Sequence, residues 1–271
     1  MILFGGISQL VKKKSLRIDK RLRFVISTLI LTALMIISTF FPFSSSLIFI
    51  PLLFIIAYAL TYFSLLEGIE RMGWFGLFLM PVAVTIAFYV FYFLFPARWI
   101  TRLPFIGLYA ISIYAMLLCA NIFNVGVEKN LQLYRAAFSI NFFYHALSIF
   151  FFFNLLFSFQ QIFLMNAVFV GTVSFILSLH LFWTIKLNKH LEKENKLFAF
   201  LISLLLVELT IVISFLPLKI PIYSLFLTAS YYSFCGLCYN YLDQRLFKET
   251  IREYLIVLIF VSIITLLSLS W

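Results

Sequence analysis

Glu208 is the one acidic residue inside the uncharged apolar run 197–216, and His145 lies inside another such run, 136–159. A carboxyl in such surroundings is expensive, and it marks function where it persists. Counted at 1.5 Å per residue from the flank that bears charge, Glu208 lies roughly 16 Å along its run and His145 roughly 14 Å along its own. Matching depth on two helices would let the pair relay a proton or hold a cation, which is the chemistry of a small transporter or permease subunit. The competing reading is structural: a protonated Glu208 hydrogen-bonded to a carbonyl or hydroxyl, and a neutral buried His145. Asn141, His145 and Ser148 share one helical face at spacings of four and three. Hydrogen bonds between such groups hold spanning helices together with about 0.6 kcal/mol each.

Cys235-Gly236-Leu237-Cys238 has the CxxC spacing that lets one thiolate attack while the other resolves. It falls inside an apolar run, toward the reducing side, with no second cysteine pair to relay electrons, and a thiol oxidoreductase is not expected. Cys119 and His180 fall at similar depth. Three cysteines and a histidine make a closed zinc site, but Cys119, Cys235, Cys238 and His180 come from three separate helices. Cysteine as a small apolar filler is the expected reading, with no metal and no cofactor.

A third polar group gathers at one end of the helices. Asn121, Asn124 and Glu128 fall on one face, followed by Lys129, Asn130, Gln132 and Arg135, with Glu67, Glu70, Arg71, Asn240, Asp243 and Arg245 at other span ends. Such a cluster would suit a headgroup site, a partner site or a lipid-modifying enzyme at the cytoplasmic face. Ordinary solvated ion pairs are the simpler account. No HExxH, Gly-rich phosphate loop, GxSxG or Asp-rich magnesium pair occurs.

The elements that position these residues are membrane spans. The stretch 136–185 contains no Asp, Glu, Lys or Arg, and the chain is 64% hydrophobic and only 11% charged. Hydrocarbon admits such segments only as helices that satisfy their own backbone groups. Charges and turn residues divide the chain into nine spans: 24–41, 47–66, 74–95, 104–125, 136–159, 162–185, 197–216, 221–241 and 254–270. Residues 1–23 form a basic segment, either a disordered topogenic tail or an interfacial helix. Of the seven prolines, only Pro81 is expected well inside a span, and no internal repeat or GxxxG pair is present.

With the amino terminus cytoplasmic, all of the 20 Lys and Arg except Arg98, Arg102 and Lys219 fall on the cytoplasmic side. Trp74, Trp99, Trp183 and Trp271 then fall at span ends, as interfacial anchors do. The formal charge of +10 is thus topogenic, and its partners are the lipid bilayer and anionic headgroups, not nucleic acid. The sequence therefore predicts an all-α polytopic membrane protein, a single bundle with its carboxyl terminus external, in the plasma (inner) membrane of a prokaryote. Its expected role is non-enzymatic, binding a membrane protein or lipid partner. A transporter using Glu208 and His145 is the alternative, and a lipid-modifying enzyme ranks behind it.

Overall fold

A computed structural model describes residues 18–66, 74–94, 99–125, 131–187 and 191–269. The tail 1–17 and Glu67, Glu70, Arg71, Arg98, Glu128, Lys129, Asn130 and Trp271 lie outside them, as do the side chains of Trp74 and Trp99. The described residues form nine α-helices and no strand: α1 Lys20–Ser38, α2 Ser46–Leu65, α3 Trp74–Tyr92, α4 Trp99–Val125 and α5 Leu131–Ser158. They continue as α6 Phe163–Lys186, α7 Lys193–Ile213, α8 Ile220–Leu242 and α9 Lys248–Leu267.

Each predicted span contains one helix, but several helices begin earlier than the charge pattern implies. α4 starts at Trp99, α5 at Leu131, α7 at Lys193 and α9 at Lys248. Charges mark where hydrocarbon ends, whereas a helix continues as long as its backbone hydrogen bonds do. Pro104, expected at a span end, consequently lies inside α4, and Pro81 lies inside α3 as expected. The break expected near Gln160-Gln161 is present, with Gln160 in the left-handed conformation at φ 49° between α5 and α6.

Seven of the nine helices are long and apolar enough to cross a membrane, rather than all nine. The described apolar segment of α3 is short, at Gly76–Tyr92. The other exception is α8, which is rich in Ser, Thr and Tyr. Its surroundings account for that composition. α8 packs against α6, α7 and α9, and Tyr223 and Tyr232 stack on Phe157 and Phe142 of α5 with centroids 4.0 and 4.7 Å apart. A helix enclosed by protein needs no uniformly apolar surface. α9 is the opposite case: only 11% of its apolar segment is buried, against 61% in α5. Leu255, Ile256, Ile259, Phe260, Ile263 and Leu266 stand exposed along it, a surface suited to hydrocarbon.

The helices group into two compact units, Met1–Asn141 and Phe142–Trp271, and the division falls within α5. In the first, α1, α2, α3 and α4 each pack on their chain neighbours, and α1 meets α4. Sparse polar links join them: the Ser64 hydroxyl donates to Ser27 Oγ at 2.9 Å, and the Tyr109 hydroxyl to Thr85 Oγ1 at 3.2 Å. In the second, α6 and α7 approach closely at Gly171, whose carbonyl accepts from Ser203 Oγ at 2.8 Å. A Cβ at Gly171 would lie 2.6 Å from Val207 Cγ2. α8 and α9 meet where the Tyr254 ring covers Gly236 and leaves no room for a Cβ. Small residues of this kind let helices approach where no hydrophobic drive separates lipid from protein.

Candidate functional site

The hairpin α5–α6 places His145 and His180 about 20 and about 26 Å from the turn that joins them, at 1.5 Å per residue. Their positions along the hairpin thus differ by only about one helical turn, and the two rings face each other across the α5–α6 interface. His145 Nε2 lies 3.0 Å from His180 Nδ1, and the ring centroids are 5.0 Å apart. The side chains are 0% and 1% exposed, respectively. Trp183, one turn beyond His180, stands with its ring 5.8 Å away. A bond at this distance needs one N–H and one lone pair, so two fully protonated rings are incompatible with it. The pair can hold one charge at most in this geometry, and the tautomer decides which ring donates.

This pairing corrects the expectation that His145 meets Glu208. Glu208 is exposed on α7. The buried stripe of α7 runs through Ala199, Ile202, Leu206, Thr210 and Ile213. At 100° per residue, Glu208 points about 160° away from the middle of that stripe. It makes no hydrogen bond or ion pair among the described residues. Its neighbours on the outward face are Leu197, Leu201, Leu204 and Val212, all exposed. Residue counting along a span does not say which way a side chain faces.

Asn141 is fully buried one turn before His145 on α5, and Ser148 is buried one turn after it. The cysteines are free thiols: Cys119 and Cys235 are buried, Cys238 half-buried. Among the described residues no three His, Cys, Asp or Glu side chains gather to hold a metal ion. Of Cys119, Cys235, Cys238 and His180, which common depth had grouped, the last is turned to His145.

Of the polar group expected at the end of α4, the described members are few. Asn124 is buried, and its Nδ2 donates to the carbonyl of Leu65 at 3.2 Å. It thereby satisfies a backbone acceptor that the end of α2 leaves without an intrahelical donor. Asn121 is half-buried, Arg135 is exposed, and Glu128 lies outside the described residues.

Two arginines escaped the sequence reading. Arg23, counted there with the basic tail, is 1% exposed in the first turn of α1. Arg102 places its guanidinium carbon 5.1 Å from the Phe40 ring centroid and 5.7 Å from that of Tyr92, within cation–π range. A cation's aromatic neighbours on other helices leave no trace in local spacing.

A family description, a protein of unknown function designated DUF5656, matches residues 66–268. The chain belongs to this family. No curated protein and no solved structure matches it. The DUF5656 region runs through α3 to α9, and so contains His145, His180 and Glu208, while α1 and α2 precede it.

Proposed function

We propose that this DUF5656 protein is a non-enzymatic component of a prokaryotic plasma membrane, which it crosses nine times with its amino terminus inside, and that it binds another membrane chain through the outward face of α7. The observation that carries this reading is the position of Glu208. A carboxyl on a leucine-rich outward face, with no partner among the described residues, is costly against hydrocarbon. A polar group on a second chain removes that cost.

The transporter reading needs Glu208 and His145 in one site, and their opposite settings favour partner binding over it. A photo-activated crosslinking residue at Leu204, in native membranes, tests the proposal. It should yield a protein adduct, whereas the same residue at Ile259 on α9 should react with lipid. Lipid adducts alone at both positions would contradict partner binding. For the nine-span arrangement, reporters fused near Lys193 and after Trp271 should read cytoplasmic and external, respectively. A cytoplasmic carboxyl terminus would remove one crossing from the last three helices.

A further inference from the structure

At one end of the first unit, the end of α1, the last turn of α3 and the first turn of α4 come together around Arg102. Arg102 lies on the packing face of α4, in line with Phe105, Ile106 and Tyr109, which are all buried. It is itself half-buried, with the Phe40 and Tyr92 rings 5.1 and 5.7 Å from its guanidinium carbon. Tyr92 is 6% exposed, and its ring also meets Phe105, with centroids 6.0 Å apart. The Tyr92 hydroxyl is buried and has no hydrogen-bond partner among the described residues.

Ring faces hold a guanidinium without cancelling its charge. The four Asp and Glu of this unit all adjoin the opposite helix ends in sequence: Asp19 precedes α1, Glu67 and Glu70 follow α2, and Glu128 follows α4. Asp19 is separated from Phe40 by the length of α1, roughly 30 Å. Arg98, four residues before Arg102 in sequence, adds to the positive charge of this end. We propose that Arg102 and Tyr92 bind the phosphate of an anionic phospholipid here. The guanidinium brings charge and a planar fork of N–H donors that matches two phosphate oxygens. The Tyr92 hydroxyl donates a further bond, so one phosphate supplies both a counter-charge and the acceptor that this hydroxyl lacks. Phe40 and, just beyond it, Phe41 and Phe43 are exposed, and they give acyl chains an apolar surface that a free anion cannot use. This site is independent of the reading of α7.

The test uses the full chain in a neutral detergent, with phosphatidylglycerol, phosphatidylcholine and inorganic phosphate as probes and native mass spectrometry as the readout. The parent should retain one phosphatidylglycerol roughly tenfold more tightly than phosphatidylcholine, whose phosphate is offset by its own cation. Arg102→Gln should weaken that retention roughly tenfold, as the loss of a hydrogen-bonded charge does. Tyr92→Phe keeps the ring beside Arg102, and with it the fold, and should weaken retention about fivefold. Lys219→Gln removes an exposed cation at the start of α8 and should leave retention within about twofold. Parental affinity in Arg102→Gln or in Tyr92→Phe would overturn the site. Loss in Lys219→Gln equal to that in Arg102→Gln would mean unspecific attraction and overturn it as well. Equal retention of phosphatidylcholine would overturn the anionic lipid. Displacement of the lipid by inorganic phosphate would make a free anion the ligand and overturn the lipid.

Discussion

The unit Phe142–Trp271 holds ionisable groups in two opposite settings. His145 and His180 are enclosed between α5 and α6, each supplying what the other needs. Glu208, on the next helix, faces away from its own core among leucines. Both settings satisfy the same rule, that a polar group in an apolar medium requires a partner. The histidines find theirs inside the chain and act on the fold. The carboxyl finds none among the described residues, which is the observation behind the proposed partner. Ionisable residues within apolar helices are thus to be sorted by direction before they are assigned chemistry.

The largest effect should come from breaking the inner side of this contrast. Gly171→Leu forces a side chain into the space occupied by Val207 and Ser203, and overpacking of this kind costs about 1–3 kcal/mol. A denaturant titration in mixed micelles should show the loss, and an unchanged midpoint would mean that α6 and α7 are not closely packed. His145→Leu should come next. It deprives His180 of its bond at 3.0 Å, and a buried polar group that loses its partner costs about 1–3 kcal/mol. His145→Leu with His180→Leu should cost less than the two single changes together, because the pair acts as one unit. Strict additivity would dissolve the pair.

On the outer side, Glu208→Leu should leave the unfolding midpoint of the monomer within about 0.5 kcal/mol of the parent, as for substitutions away from packed features. Smallest of all should be the loss of the thiols. Replacing Cys119, Cys235 and Cys238 together with Ala should leave expression and metal content unchanged. Stoichiometric zinc in the parent, absent from the triple variant, would restore the metal reading.

Most of the helical architecture was legible from charge and turn residues. The uncharged run 136–185 and Gln160-Gln161 located the α5–α6 hairpin, because hydrocarbon excludes charge and non-helical backbone alike. Helix starts at Trp99, Leu131, Lys193 and Lys248 were not legible, since polar residues can extend a helix beyond the apolar layer. The polarity of α8 also hid its role. Its Ser and Tyr residues signal enclosure by protein, and that depends on where the other helices sit. The site was legible residue by residue but not as an arrangement: Glu208, His145 and His180 were each singled out, and then grouped by depth alone. The burial pattern of α7 supplies the missing angle, and no single sequence records the facing helix that His180 offers to His145.

The central claim is that Glu208 serves association and not the fold of its own chain. The direct test measures both properties on one variant, Glu208→Leu: the unfolding midpoint at high dilution in lipid, and association read as the yield of the Leu204 protein photoadduct in native membranes. The account predicts an unchanged midpoint and association weakened roughly tenfold. A lowered midpoint with association intact would contradict it and return Glu208 to the interior of the chain.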